Sequence, residues 1–182
     1  KGYQGCSIKE IGKAANVNPA MVYYYYKDKE AILYHIIKES SSDLIKSLML
    51  IKEEEPDPLE CFKKMIEQYI KYSIVYEYES KVISNNTDAL KGRRKTVCKK
   101  KQREIYDIYM EQIKTMQKAG ILENINLSVM NLITIGMLNW CCLWYKKKGD
   151  LSLDEIIDHM QNILFYGTIK KNISESELNT SK

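Results

Sequence analysis

Apolar residues recur every third or fourth position along most of the chain, the spacing that gives a helix one buried face. The stripe Ile32, Leu33, Ile36, Ile37, Leu44, Ile45, Leu48 and Met49 predicts one long helix from just after Asp28 to about Ile51. Leu59, Phe62, Met65, Ile66, Tyr69, Ile70 and Ser73 form the inward face of a helix opening at Pro58, with a break near Asn85-Asn86 before another helical stretch. Further helices are expected from about Leu90 to Ala119, closed by Gly120, from Leu127 to Tyr145, and from Leu153 to Lys170, with a frayed end in "SESELNTSK". Near the start the elements shorten. Ile8, Ile11, Ala14 and Ala15 share one side of a helix from Ser7 to Ala15, stopped at Asn16, a residue that tolerates a left-handed cap. A second short helix runs from Pro19 to near Tyr25.

Cap chemistry supports these boundaries. Ser7 and Glu10, Asp57 and Glu60, and Ser152 and Glu155 have the spacing at which an N-cap side chain and an N3 side chain satisfy each other's backbone amides. Asn18-Pro19 and Asp57-Pro58 add a proline where its missing N–H costs nothing. With three prolines, eight glycines and long stretches rich in Lys, Glu, Ile, Leu and Met, an all-α fold is expected. The 182 residues, 45% hydrophobic, suffice for one well-cored domain or a small module of a larger protein.

Composition also excludes classes of function. The apolar run Leu132 to Tyr145 is too short to span a bilayer and contains Asn139, so no membrane partner is expected, and no signal peptide opens the chain. Five cysteines, Cys6, Cys61, Cys98, Cys141 and Cys142, form an odd set without C-x-x-C spacing, which fits a reduced, cytoplasmic interior. His35 and His159 stand far apart without a second ligand at helical spacing, so no metal and no cofactor is expected. There is no Ser/His/Asp set, no cysteine with a plausible base and no glycine-rich phosphate loop, and an enzyme is not expected.

The two short helices and their turn, "IKEIGKAANVNPAMVYYYY", have the helix-turn-helix pattern, although helical hairpins are common in proteins that never touch DNA. The run "GYQGCSIKEIGKAANVNPAMVYYYYKDKEAIL" closely resembles the DNA-binding headpiece of TetR-type transcriptional repressors. In that pattern Ser7 is the cap, then come Ile11 and Val17, Val22-Tyr23 in place of Leu-Tyr, the aromatic Tyr26, and Asp28-Lys29-Glu30 before a long helix. Departures are mild: Gly12 for a small Ala, Asn16 for Gly, Asn18 for Ser, Ala20 for Gly and Tyr26 for Phe. The family's first helix should lie before Gly2, so the headpiece is expected to be incomplete at its N-terminus. Farther on, "KKKQREIYDIY", "KAGIL" and "IGMLNWCCLWYKKKGDLSLDEIIDHMQNILFYG" are similar to ligand domains of repressors of fatty-acid and sterol-side-chain catabolism, whose effectors are acyl-CoA thioesters.

The resemblance implies a division into a headpiece over 1–45, an effector-binding and dimerisation domain over 46–174, and a tail over 175–182. It implies a homodimeric repressor released from a double-stranded DNA operator by a small-molecule effector. The family docks its second short helix in the major groove, which assigns Pro19, Ala20, Met21, Tyr24 and Tyr25 to the groove face. Ser7, Tyr23 and Lys29 are the expected phosphate contacts, Ser7 serving equally as a pure cap. The resemblance places Tyr69, Tyr72, Tyr76, Tyr106, Met110, Asn139, Trp140 and Trp144 on helices around a ligand cavity, with core or dimer packing as the alternative. Ile135, Leu138, Ile156, Met160, Ile163 and Leu164 are the implied dimer contacts.

Charge sharpens both ends. No arginine occurs from Lys1 to Leu33, so the usual bidentate reader of guanine is missing, and phenols and thymine-methyl contacts would carry more of the readout. The net charge of +4 hides a local concentration: Lys91 to Arg103 carries eight basic residues and no acidic one. That run fits a solvated face, a lip for coenzyme A phosphates using Arg94, Lys99 and Arg103, or a second nucleic-acid surface. Two rival functions stay open, a repressor of the same family sensing an aromatic or cationic drug-like molecule, and a helical interaction scaffold without DNA binding. Acidic residues in the cavity, from Glu67, Glu77 or Glu79, would favour the drug sensor.

Overall fold

The computed structural model describes residues 2–122, 125–146 and 149–166. Among these residues the chain is helical throughout: α1 Ile8–Ala14, α2 Pro19–Tyr25, α3 Lys29–Glu54, α4 Pro58–Val75, α5 Glu77–Asn86, a single 3-10 turn at Thr87–Ala89, α6 Gly92–Lys118, α7 Leu127–Trp144 and α8 Leu153–Tyr166. No helix among them is long and apolar enough to cross a membrane. The structure separates into two units, residues 1–146 and 147–182. The expected division after residue 45 falls inside α3, which runs unbroken across it. Residues 167–170 of the expected last helix and the tail 175–182 lie outside the described residues.

Local chemistry sets the helix ends. Ser7 and Glu10 close a complete capping box, and the α1 C-terminus is wound off by Asn16 at φ 55°. The amide of Val17 then donates to the Gly12 carbonyl at 2.9 Å and that of Asn16 to the Lys13 carbonyl at 3.2 Å, satisfying acceptors the helix itself cannot. Gly12 has to be small for another reason. A Cβ there would stand 3.1 Å from the Val17 carbonyl and 3.3 Å from the Pro19 Cα, so α1 and the start of α2 approach backbone to backbone. The α6 C-terminus ends the same way, with Gly120 at φ 70° and the Ile121 amide donating to the Met116 carbonyl.

The expected break falls where α5 ends at Asn86, but a further break that was not expected divides α4 from α5. The helix opening at Pro58 does not run on to Asn85; it breaks at Tyr76, whose backbone (φ −102°, ψ 48°) is non-helical. Tyr76 has ordinary helix propensity and neither Gly nor Pro marks the spot, so the break is imposed by packing, not by local sequence.

Two apolar layers hold the first unit. Leu33, Ile37, Leu90 and Cys98 form a cluster at the headpiece end of α3, covered by Tyr3, Tyr34, Val82, Ile83 and Ala89. Farther along, Leu44, Leu48, Phe62, Met65, Ile66, Ile70, Ile108, Tyr109, Ile113 and Met116 are buried between α3, α4 and α6. The Tyr109 hydroxyl donates to the Met65 carbonyl at 2.8 Å, which gives this fully buried phenol its partner. In the second unit, Ser152 and Glu155 form another capping box, and Ile156, Ile157 and Met160 are the buried residues of α8.

Candidate functional site

The headpiece presents an aromatic surface. None of the α2 residues is buried; Met21, Tyr23, Tyr24 and Tyr25 are exposed, Tyr24 by 83%, and Ala20 is exposed beside a half-buried Pro19. Tyr24 and Tyr25 meet edge to face at 5.1 Å, while Tyr26, just past the helix, turns its ring toward His35 of α3 at 5.6 Å. Of the four consecutive phenols, one is anchored to α3 and three face outward.

The expected phosphate contacts are differently engaged. The Ser7 hydroxyl accepts from the Glu10 amide and donates to the Glu10 carboxylate at 2.9 Å. The Lys29 ammonium donates to the carbonyls of Tyr3 (3.1 Å), Gln4 (3.3 Å) and Cys6 (3.5 Å) and lies 4.8 Å from the Tyr3 ring centroid. Lys29 thus fastens the segment before α1 onto the start of α3. Tyr23, half exposed, keeps an accessible hydroxyl.

A cavity of about 540 Å³ lies among α3, α4, α5, α6 and α7. Its floor comes from α3 and α4, with Ser41, Leu44 and Ser73 all buried. Its mouth is formed by Ser84, Asp88, Lys99 and Gln102, all exposed. Between them stand Ser40, Tyr69, Tyr72, Ser80, Ile83, Thr87, Ile105, Tyr106, Ile135 and Asn139. The Tyr69 hydroxyl donates to Asn139 Oδ1 at 2.5 Å, joining α4 to α7 across the wall. Burial pushes the Tyr72 phenol up despite its hydrogen bond with Ser40, so Tyr72 is neutral at any physiological pH.

Of the residues expected around a ligand, Tyr69, Tyr72, Lys99, Tyr106 and Asn139 are in the wall. Tyr76 stacks outside it on Tyr72 at 4.6 Å, and Met110 is half buried away from it. Trp140 is 65% exposed and Trp144 also faces outward, because each lies on the opposite side of α7 from the inward row. Of the residues expected to carry dimer contacts on α7, Ile135 lines the cavity and Leu138 is fully buried, whereas Val129, Leu132, Ile133, Trp140 and Leu143 are exposed. In α8, Ile163 is exposed, Leu164 half buried, and Ile156 and Met160 buried.

Half of the basic run is engaged in ion pairs. Arg94 donates to Asp28 at 2.8 Å and lies 3.6 Å from Glu30, while Lys95 pairs with Asp88, Lys101 with Glu104 and Arg103 with Asp107. The Arg103 guanidinium also covers the Tyr106 ring at 4.6 Å. Among the described residues, Lys99 reaches the cavity without an ion pair. The Lys91 amide donates to Glu30 at 2.9 Å, so the first turn of α6 grips both carboxylates at the start of α3. Sequence reasoning missed this clasp and the serines of the cavity. A small hydroxyl residue on a helix's apolar stripe, as Ser41 and Ser73 are, was the available signal.

Two short helices joined by a tight turn, carried on a helical body with an internal cavity, are the arrangement of a helix-turn-helix transcription regulator. The family follows from sequence: residues 55–168 match the tetracyclin repressor-like C-terminal domain and residues 1–36 match the tetR family of bacterial regulatory proteins, and the chain belongs to the TetR family. The probable HTH-type transcriptional regulator YttP of Bacillus subtilis (strain 168) is 40% identical over 48 residues, 26% of this chain and 23% of that protein. The chain therefore matches under a quarter of that curated relative's length. In fold it is similar to the TetR family regulator PfmR of Thermus thermophilus (TM-score 0.86, 18% identity, 93% of each chain). It is also similar to AibR, solved with isovaleryl coenzyme A and operator DNA (TM-score 0.80, 21% identity, 90% of this chain and 89% of that one).

Proposed function

We propose that this regulator is a cytoplasmic homodimeric repressor that leaves its operator when an acyl-CoA thioester enters the cavity. The observation that carries the reading is the course of α3. The helix is capped by Asp28 in the headpiece, is clasped there by α6, and farther along forms the cavity floor with Ser41 and Leu44. A ligand wedged between α3 and α6 acts on both partners of the clasp, Asp28 and Glu30 on one helix and Arg94 on the other. It releases DNA if it binds the arrangement that misplaces the headpieces more tightly, by a few kcal/mol.

Cavity chemistry favours a thioester over a cationic drug. Asp88 contributes a carboxylate at the mouth, but Lys95 neutralises it at 3.1 Å. Glu67 and Glu77 pair with Lys71 and Lys81 on their own helices, and Glu79 is not in the wall. Lys99 at the mouth suits the phosphates of coenzyme A, and the relative AibR was solved with such a thioester. Dimerisation is assigned to the outward apolar row of α7, so that two aromatic headpieces reach successive major grooves.

Fluorescence anisotropy tests this on the purified protein with DNA fragments from upstream of its own coding region. Acyl-CoAs added to the complex should release the DNA, while free coenzyme A and aromatic cations should not. Release by the cations alone would replace the thioester reading with the drug-sensing one.

A further inference from the structure

Ser41 of α3 and Ser73 of α4 are each 7% exposed and form part of the cavity floor. Among the described residues neither hydroxyl has a hydrogen-bond partner, and neither residue is among those with further contacts. That is unusual for a helical hydroxyl, which ordinarily returns its proton to the carbonyl one turn back. Other hydroxyls here do so: Ser42 to the Lys38 carbonyl at 2.8 Å, Thr87 to that of Ile83 at 2.7 Å, and Thr134 to that of Met130 at 2.9 Å. Both hydroxyl oxygens are open to the cavity, so a ligand that seals them off must replace the hydrogen bonds that solvent makes to them or forfeit that free energy.

We infer that the effector carries a neutral oxygen function, a hydroxyl or a ketone, at its innermost end, where Ser41 and Ser73 hold it. The inference rests on the thioester reading above and specifies the acyl group. The oxygen is uncharged because, of the described residues lining the cavity, Lys99 is the one cation and it stands at the exposed mouth, not among the buried residues with Ser41 and Ser73. A carboxylate driven to that depth would lose its hydration without a counter-charge. A saturated alkyl end would leave both serines unpaired, the arrangement that binding sites built to hydrogen-bond use to reject analogues.

Matched pairs of short-chain acyl-CoAs, one ending in a methyl group and the other in a hydroxymethyl group or methyl ketone, test this by calorimetry on the full chain. The oxygenated member should bind on the order of tenfold tighter, about the yield of one or two net hydrogen bonds. In the Ser41→Ala, Ser73→Ala double variant that ratio should fall to about one, the oxygenated member losing its hydrogen bonds and the methyl-ended member no longer leaving hydroxyls unpaired. Alanine raises helix propensity at both positions, and an unchanged circular dichroism spectrum confirms the fold. Methyl-ended thioesters binding as tightly as oxygenated ones, or a ratio that survives in the double variant, overturns the inference and leaves the thioester reading standing. If no thioester of either kind binds, both are overturned.

Discussion

Replacing Arg94 by methionine removes the guanidinium that ties α6 to the start of α3 while keeping most of the apolar stem. The lost contacts are the 2.8 Å hydrogen bond to Asp28 and the 3.6 Å approach to Glu30. The side chains of Arg94, Asp28 and Glu30 are 30%, 46% and 24% exposed, so solvent screens much of the attraction. A partly covered, charge-assisted pair of this kind is worth about 0.5 to 1 kcal/mol. The matching change at the other end is Asp28→Asn, which retains an oxygen for the cap on the Ala31 amide. In a double-mutant cycle from urea unfolding at fixed protein concentration, the two changes should therefore couple by about 0.5 to 1 kcal/mol. The pH dependence supplies a second reading. Burial pushes the Asp28 carboxyl up, but the hydrogen bonds from Arg94 and Ala31 and the Arg94 charge outweigh it and hold it below the ordinary aspartate range. A carboxyl depressed in the folded state adds stability above its unfolded pKa, and that contribution is lost as pH falls through the folded pKa. Arg94→Met should therefore flatten part of the acid limb below about pH 4. A coupling indistinguishable from zero with an unchanged acid limb would show that the clasp is a solvated pair without mechanical consequence.

Tyr24→Ala and Tyr25→Ala should each weaken operator binding several-fold in anisotropy titrations without loss of helicity, since both rings are exposed and bear only on each other. Leu132→Glu places a charge in the outward row of α7 and should convert the proposed dimer to monomer in analytical ultracentrifugation, while leaving the buried face of the helix untouched. Tyr109→Phe removes the bond to the Met65 carbonyl and should cost about 1 kcal/mol in urea unfolding. Burial, with the neighbouring Tyr69, raises the Tyr109 phenol well above its usual range, so its ionisation should be seen spectrophotometrically only on unfolding at high pH.

Most of the fold was legible because its determinants are local. Ser7, Asn18, Asp28 and Asp57 announce helix starts through side chains that bond amides two or three residues on, and Asn16 and Gly120 announce ends through left-handed backbone. The break at Tyr76 was not legible, since Ile74, Val75 and Tyr76 disfavour a helix only mildly and neither Gly nor Pro marks the spot. The site was legible in part for a related reason. Periodicity identifies an apolar stripe, but whether the stripe meets packed side chains or empty space depends on residues brought up from other helices. Ser73 fitted the inward stripe of α4; that its hydroxyl opens into a cavity follows only from how α3, α5 and α6 stand around it.

The clearest misreading, on α7, follows from its composition. Leu127–Trp144 is apolar on every side, so no polar face fixes its rotation, and a periodicity argument has nothing to choose by. The structure chooses against hydropathy: Asn131 and Thr134 are fully buried while Leu132 and Trp140 are 60% and 65% exposed. The buried polar groups find partners except at Asn131 Oδ1, which has none among the described residues. The Asn131 amide donates to the Tyr106 carbonyl at 3.0 Å and the Thr134 hydroxyl to the Met130 carbonyl, so α7 is keyed to α6 by a hydrogen bond that an all-leucine face could not make. Rotating the helix to bury the tryptophans would break that bond and remove Ile135 and Asn139 from the cavity wall. Under the proposed dimer, what hydropathy loses on the outward row is recovered when a second copy covers it. The same rotation that exposes Trp140 thus places Asn139 against Tyr69, which ties the proposed dimer face and the effector cavity to opposite sides of one helix.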